Sequence, residues 1–274
     1  MWPARCKLGS LECLMIAPLP AKRIVPSRAA NVATTCWAAL RLWMHALRWC
    51  AQVVWLFPFL TPSGRNRHVR AWARMLLKRL DVELKIVGAP PQEGPLLLVS
   101  NHISWVDIVA LHAACRCRFV AKADVKRWPL IGILATGGGT LYVRRESRRD
   151  AMRVVHRMAQ ALGDGDVLAV FPEGTTGDGA SVLPFHANLI QAAISADSPV
   201  QPVAIQFVDA RSGTPSRAVT YMGDESLVNS IWRTLSARDL CAVVAFGAVQ
   251  RAEGRDRRAW AQELRSEIIA MRRS

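Results

Sequence analysis

Short apolar runs alternate with helical patterns from residue 82 onward, and this alternation restricts the possible folds more than any other feature. The predicted strands are residues 82–87, 96–100, 118–121, 140–143, 167–171, 200–207, 218–221 and 242–246. Helical patterns lie between many of them, notably at 104–114 and 147–162. Strands that alternate with helices are typical of a parallel sheet covered by helices. We therefore predict an α/β domain over residues 81–274, with a mostly parallel sheet and a ligand site at the carboxyl ends of its strands.

The turn after the second predicted strand contains candidate catalytic residues. His102 lies between the apolar run 96–100 and the following helical pattern. Ser104 is a suitable N-cap, and Asp107 falls three residues later in the first helical turn. From there the Asp107 carboxylate can reach back to the His102 imidazole. Two interpretations stay open at this point: a catalytic pair, or a capping box in which Asp107 stabilises the helix and His102 is structural.

Two further strand ends place polar side chains where a ligand can bind. Three glycines precede the strand predicted at 140–143, and two arginines, the second of them Arg145, follow it. A guanidinium there suits a phosphate if the strand lies beside the His102 turn, although arginines at strand ends are usually only solvated. Glu173 lies between a proline and a glycine after another apolar run. It can bind substrate hydroxyls or, as a turn acid, backbone amides.

The charge of the chain indicates anionic partners. It has 36 Lys and Arg against 21 Asp and Glu, a net charge of +15. Such an excess suits nucleic acid, phosphorylated metabolites or acidic lipid. Ten tryptophans against two tyrosines favour lipid, because Trp prefers the membrane–water interface and no nucleic-acid-binding motif is present.

The N-terminal part of the chain predicts membrane association. Residues 1–30 predict a loose tail, because they contain four prolines and scattered basic residues. Residues 31–60 predict a Trp-rich helix, a second helix is expected at about 65–80, and both have a basic face. The face includes Arg41, His45, Arg48 and Gln52 in the first helix, and Arg67, Arg70, Arg74 and Lys78 in the second. We predict a helical hairpin that docks on an anionic membrane surface; a tilted span over 37–60 and an ordinary solvated helix stay open as alternatives.

The cysteines do not predict a disulfide framework. There are seven, an odd number, and they form no CxxC pair, which indicates a reducing compartment. A possible metal cluster of His112, Cys115 and Cys117 lacks a fourth ligand and lies across a predicted helix end. We therefore expect no metal site.

Four stretches, taken together, resemble the four blocks of the glycerolipid acyltransferase family, which includes the 1-acylglycerol-3-phosphate acyltransferases. They are, in chain order, Asn101-His102-x4-Asp107, Gly139-Thr140-Leu141-Tyr142-Val143-x-Arg145, Phe171-Pro172-Glu173-Gly174-Thr175 and Val200-x-Pro202. The resemblance covers about residues 82–210. It implies an α/β core, attachment to the cytoplasmic face of the inner membrane, an acyl-CoA or acyl-carrier-protein donor and a lysolipid acceptor, with no cofactor.

The resemblance also implies roles for single residues. His102 corresponds to the catalytic base and Asp107 to its partner, and the acceptor-binding positions are Arg145, Glu173, Gly174 and Thr175. The chemistry agrees, because an imidazole with a pKa of about 6.5 can take the proton of a hydroxyl that attacks a thioester. A carboxylate holds that ring and stabilises the imidazolium. The sequence has no Gly-x-Ser-x-Gly elbow, which argues against the α/β-hydrolase mechanism.

One position departs from the family pattern. Thr176 follows Glu-Gly-Thr, where many members have a basic residue linked to acceptor phosphate. Relatives that acylate lyso-ornithine lipid look similar here, so we predict 1-acylglycerol-3-phosphate as the first acceptor and lyso-ornithine lipid as the second. A non-catalytic lipid-binding protein is the alternative of another class. The intact pair of His102 and Asp107 favours the enzyme, because a binding module has no need of a base.

Overall fold

The computed structural model describes residues 32–143, 148–223 and 225–273, and the tail predicted at 1–30 lies outside them. The described helices are α1 (Val32–Trp55), α2 (Pro62–Arg79), α3 (Trp105–Ala114), α4 (Ile131–Gly137), α5 (Arg148–Gly163), α6 (Gln191–Ser195), α7 (Leu227–Ser236) and α8 (Arg257–Met271). The described strands are β1 (Val82–Val87), β2 (Leu96–Ser100), β3 (Arg118–Lys122), β4 (Leu141–Val143), β5 (Val167–Val170), β6 (Val200–Asp209) and β7 (Leu240–Phe246). Two short 3-10 helices lie at Phe57–Phe59 and Ala123–Arg127.

The strands form one seven-stranded sheet in the order β1-β7-β6-β2-β5-β3-β4. Each pairing is parallel except that of β6 with β7, which is antiparallel. This confirms the predicted α/β architecture. The strand predicted at 218–221 is wrong: Val219 is fully buried, but the segment turns, with Thr220 N–H donating to Arg217 O at 3.1 Å. The apolar pattern there reflects burial against the core, without a strand partner.

β2 lies in the middle of the sheet and is buried along its whole length. Leu96 and Leu98 pack in the core on one face, and Leu97 and Val99 pack in the core on the other. Successive side chains of a strand point to opposite faces, so an unbroken apolar run is what a strand covered on both sides requires. The carboxyl end of β2 therefore lies at the middle of the sheet edge formed by the strand ends.

α2 is part of this core. Its apolar residues Ala73, Leu76 and Leu77 are buried in the same cluster as the apolar face of α3. The helix begins at Pro62, because Thr61 Oγ1 accepts from the Gly64 N–H at 3.2 Å and proline suits the first helical position. The sequence had indicated a later start near residue 65.

Two arginines of α2 bind the end of α3. Arg70 donates from Nη2 to the carbonyl of Ala114, and Arg74 donates from Nε to the carbonyl of Ala113 at 3.2 Å. The last carbonyls of a helix have no partner within the helix, so these guanidiniums supply one. Both residues belong to the basic face that we expect to meet lipid headgroups; Arg70 is half-buried and Arg74 is exposed, and each binds a backbone carbonyl of α3.

α1 packs against α2, α4 and α7. His45, from the predicted basic stripe, stacks on Trp72 of α2 with ring centroids 5.8 Å apart, and burial lowers its pKa. Arg41 and Arg48 of the same stripe are exposed. Among the helices of the described residues, none has the length and apolar character that crossing a bilayer requires.

Candidate active site

The turn after β2 brings the predicted pair together. His102 Nδ1 lies 2.8 Å from Asp107 Oδ2. The Asp107 side chain is fully buried, whereas 17% of the His102 side chain is exposed. The pair therefore lies at the carboxyl end of the central strand, with the ring partly open to solvent.

A single carboxylate oxygen both caps α3 and holds the imidazole. Besides the His102 ring, Asp107 Oδ2 accepts from the backbone N–H groups of Ile103 at 2.6 Å and Ser104 at 2.8 Å. Ser104 Oγ accepts in turn from the Val106 N–H at 3.3 Å, which completes a capping box. The hydrogen-bonded pair and the capping box are therefore both present and use the same oxygen, and the catalytic role of the pair stays a prediction.

An aromatic ring fixes the plane of the imidazole. Phe171 stacks on His102 with ring centroids 3.9 Å apart and planes 6° apart, and Phe119 stacks on Phe171 at 5.5 Å. Since Nδ1 faces Asp107, Nε2 is the nitrogen left to face a substrate. Sequence analysis does not predict this role for Phe171. The role depends on the pairing of β5 with β2, which places Phe171, directly after β5, beside the His102 turn.

The backbone of the turn is held from several sides. Asn101 joins β2 to β6, because its Oδ1 accepts from the Ile205 N–H at 2.8 Å and its Nδ2 donates to the Ile205 carbonyl at 3.0 Å. The Tyr221 N–H donates to the Ile103 carbonyl at 3.1 Å. These contacts were not predicted, because they join residues far apart in the chain. They keep the turn in a defined place before any substrate binds.

Glu173 lies directly behind the turn of His102 and Asp107. Its Oε1 accepts from the His102 N–H at 2.6 Å and its Oε2 accepts from the Leu183 N–H at 2.7 Å, so the carboxylate binds backbone amides. Burial raises the pKa of the Glu173 carboxyl, and the two amide hydrogen bonds oppose that change. Binding of acceptor hydroxyls by Glu173 stays a prediction.

The other predicted acceptor positions follow Glu173 at the surface. Gly174 and Thr175 are exposed. Gly174 has a φ of +73°, and a Cβ there would lie 3.0 Å from the His186 ring, so the turn requires glycine. Arg145 lies outside the described residues, and its role stays a prediction.

His112 lies in the interior rather than at the active-site edge. It packs edge-on against Phe119 with centroids 4.9 Å apart, and burial lowers its pKa to about 4. The described part of the chain contains no group of three or more His, Cys, Asp or Glu side chains that could hold a metal ion.

Comparison with known proteins identifies the family of the chain. The Acyltransferase family model matches residues 82–206. The chain is 35% identical over 239 residues to the 1-acyl-sn-glycerol-3-phosphate acyltransferase of Neisseria gonorrhoeae, covering 82% of this chain and 91% of that protein. It is 40% identical over 171 residues to the lyso-ornithine lipid O-acyltransferase of Pseudomonas aeruginosa, covering 62% of this chain and 65% of that protein.

The fold has a counterpart among solved structures. The crystal structure of the 1-acyl-sn-glycerophosphate acyltransferase PlsC from Thermotoga maritima matches with a TM-score of 0.62 and 15% identity, over 86% of this chain and 95% of that one. This match shows a shared fold, and the similarity of sequence to the Neisseria enzyme shows a shared family. The chain is therefore an enzyme of the acyltransferase family, in which the turn of His102 and Asp107 is the candidate active site.

Proposed function

We propose that this enzyme transfers a fatty acyl chain from an acyl thioester to the free hydroxyl of a lysolipid, with His102 as general base. The observation that supports the proposal most directly is the 2.8 Å contact of His102 Nδ1 with the buried Asp107 carboxylate. A carboxylate at Nδ1 selects the tautomer that leaves the Nε2 lone pair free to take a proton. The named activities of the relatives from Neisseria and Pseudomonas support a lysolipid as acceptor.

In this mechanism His102 Nε2 takes the proton of the acceptor hydroxyl as its oxygen attacks the thioester carbonyl carbon. The Asp107 carboxylate stabilises the imidazolium that forms. The tetrahedral intermediate then collapses, the carbon–sulfur bond breaks, and the thiol leaves with the proton from Nε2. The step balances with acyl-CoA or acyl-carrier protein as donor and without a cofactor. General base catalysis of this kind contributes about 10²–10⁴-fold to the rate.

The acceptor we favour is 1-acylglycerol-3-phosphate, which would give phosphatidic acid. The relative that supports it aligns over 91% of its own length, and the net charge of +15 suits an anionic lipid. Lyso-ornithine lipid is the second candidate. It is favoured by Thr176, which lacks the positive charge that would pair with a phosphate, and by 40% identity to the Pseudomonas enzyme.

A thiol-release assay tests both the reaction and the acceptor. Purified enzyme is given acyl-CoA with 1-acylglycerol-3-phosphate, lyso-ornithine lipid or no acceptor. We expect acceptor-dependent thiol release that His102→Ala abolishes and that His156→Ala, which removes an exposed imidazole on α5, does not change. Lipid binding without turnover would favour the non-catalytic alternative, and a normal rate in His102→Ala would end the proposed mechanism.

The enzyme works, in this proposal, on the anionic cytoplasmic face of the inner membrane. Many apolar side chains of α1 are exposed, as are Phe59 just after it and two side chains of the adjacent α7. They are Val32, Trp37, Leu40, Trp43, Met44, Leu47, Val54, Trp55, Phe59, Val228 and Trp232. An apolar patch of this kind, with tryptophans and with Arg41 and Arg48 beside it, suits the boundary between headgroups and acyl chains.

Vesicle flotation tests this surface. Trp37→Ser with Trp43→Ser should weaken binding to neutral and anionic vesicles alike, whereas Met152→Ser, an exposed apolar residue on the opposite face of the sheet, should not. Arg41→Gln should weaken binding to anionic vesicles only, by about fivefold, since a basic residue near such a surface contributes about 1 kcal/mol. Protein that resists alkaline carbonate, leaves only with detergent and binds both vesicles equally would indicate a span over 37–60 instead.

A further inference from the structure

The peptide group of the proposed base is held by a separate segment of the chain. The His102 N–H donates to Glu173 Oε1, and the His102 carbonyl accepts from the Gly177 N–H at 2.8 Å. Glu173 is itself held from further along, because its Oε2 accepts from the Leu183 N–H at 2.7 Å. Residues 173–183 therefore touch the base through both its backbone N–H and its backbone carbonyl.

This segment has local order at Asp178, whose Oδ1 accepts from the N–H groups of Ala180 at 2.8 Å and Ser181 at 3.3 Å. Gly177 and Gly179 lie within it, and Ala180 and Ser181 are exposed. Gly179 has a φ of +74°, a conformation that glycine adopts without strain. A loop of this composition needs contacts from elsewhere in the molecule to stay in one conformation.

Two arginines near the end of the chain supply those contacts. Arg265 of α8 donates from Nε to the carbonyls of Val182 at 3.1 Å and Leu183 at 3.0 Å, and from Nη2 to Val182 at 2.6 Å. Arg272, at the C-cap of α8, donates to the carbonyl of Gly179. Charge-assisted hydrogen bonds to carbonyls are among the stronger contacts available to a loop.

α8, which carries these two arginines, is anchored in the core. Trp260, Leu264 and Ile268 are fully buried in the core on its side of the sheet. Burial lowers the pKa of Arg272, while the charges of Glu173, Asp178 and Asp107 oppose that change. The helix itself lies outside the region matched by the family model, residues 82–206.

We propose that Arg265 and Arg272 are positioning residues, which hold segment 173–183 and through it keep the His102 peptide, and so the imidazole, in place for proton transfer. The inference rests on the proposed role of His102 as base. It predicts a defect in the chemical step rather than in substrate binding. A displacement of about 1 Å at a reacting group can cost about 100-fold in rate.

The test compares Arg265→Met with Arg258→Met, which removes the same charge from an exposed position on the same helix. We expect Arg265→Met to lower kcat by about 10- to 100-fold with both KM values changed less than about twofold. Arg265→Lys should recover part of the loss, since it retains one donor in place of a fork. Arg272→Met should also lower kcat with little change in KM, but by a smaller factor. If Arg265→Met does not fold, the Arg272→Met variant tests the proposal in its place.

Hydrogen exchange gives a readout that does not depend on turnover. Faster exchange at the amides of His102, Gly177 and Leu183 in Arg265→Met, with unchanged exchange in Arg258→Met, supports the proposal. Unchanged exchange at these amides, or a kcat equal to that of Arg258→Met, overturns it, as does a loss confined to KM. If the wild-type enzyme shows no acyl transfer, the proposed function fails, while the exchange comparison still decides whether the arginines hold the turn.

Discussion

Replacing Asp107 with Asn separates the two roles of its carboxylate in one experiment. Oδ2 accepts from three donors: the His102 ring, the Ile103 N–H and the Ser104 N–H. Oδ1 is buried and has no hydrogen-bond partner among the described residues. In Asp107→Asn, an Asn side chain that keeps its oxygen toward the three donors must place its NH₂ group where Oδ1 lies, with no acceptor beside it.

The expected cost follows from the number of donors. A hydrogen bond to a charged group contributes about 1.5–3 kcal/mol and a neutral one about 0.5–1.5 kcal/mol, so each of the three bonds should lose about 1 kcal/mol. The sum is about 3 kcal/mol, before the buried NH₂ is counted. A chain of this size loses about 2–4 °C per kcal/mol, which predicts a fall in Tm of about 6–12 °C. His102→Ala removes one of the three bonds outright, and this bond to a charged group should cost about 1.5–3 kcal/mol.

Thermal melts and acyl-transfer rates of both variants check this reasoning. We expect both substitutions to abolish turnover, with the larger loss of Tm in Asp107→Asn, because that variant also buries an NH₂ group that has no partner. The loss of Tm in Asp107→Asn beyond that in His102→Ala reports mainly the capping role of the carboxylate, because only Asp107→Asn changes the acceptor of the Ile103 and Ser104 N–H groups. A Tm of Asp107→Asn within about 1 °C of the wild-type value would refute the claim that one oxygen carries three donors.

Three other substitutions test separate features. Because burial lowers the pKa of His112 from 6.5 to about 4, the unfolded chain takes up a proton before the folded protein does, so the wild-type enzyme should lose about 3 kcal/mol of unfolding free energy as the pH falls from 6.5 to 4. In His112→Leu the pH dependence measured by urea titration should fall by that amount, with the remainder coming from other groups such as His45, and an unchanged pH slope would contradict it. Phe171→Leu should lower kcat by about tenfold with KM values unchanged, since it frees the ring of His102, and a rise in KM alone would instead assign Phe171 to binding. Arg145→Ala should raise the acceptor KM far more than the donor KM, with partial recovery in Arg145→Lys; equal losses for both substrates would indicate a structural role.

The sequence predicted the sheet well where burial and strand pairing coincide. β1 and β2 have the bounds that their apolar runs indicated, and α3 begins directly after the predicted cap, Ser104. The strand predicted at residues 218–221 is absent. An alternating apolar pattern indicates which residues are buried, but it does not indicate whether a neighbouring strand is available for pairing. The sequence predicts the start of α2 about three residues late, near residue 65, although proline suits the first helical turn and the helix begins at Pro62.

In the candidate site, too, local features were predictable from the sequence and long-range contacts were not. The pair of His102 and Asp107 was predictable, because both residues lie within one local turn and its spacing is visible in the sequence. The stacking of Phe171 depends on β5 lying beside β2, which the order of the strands in the chain does not reveal. Arg265 and Arg272 gave no signal at all, since each meets a carbonyl more than 80 residues away.

The hydrogen bonds from α2 to the last turn of α3 limit how far the chain can be shortened from its N-terminal side. α3 has Asp107 in its first turn, and its final carbonyls depend on Arg70 and Arg74. A shortened chain that begins at residue 82 would lose these donors and the apolar side chains that cover α3. A soluble catalytic fragment is therefore not obtained by trimming the N-terminal helices. Engineering of this enzyme has to alter the exposed side of α1 by substitution and leave the helical pair whole.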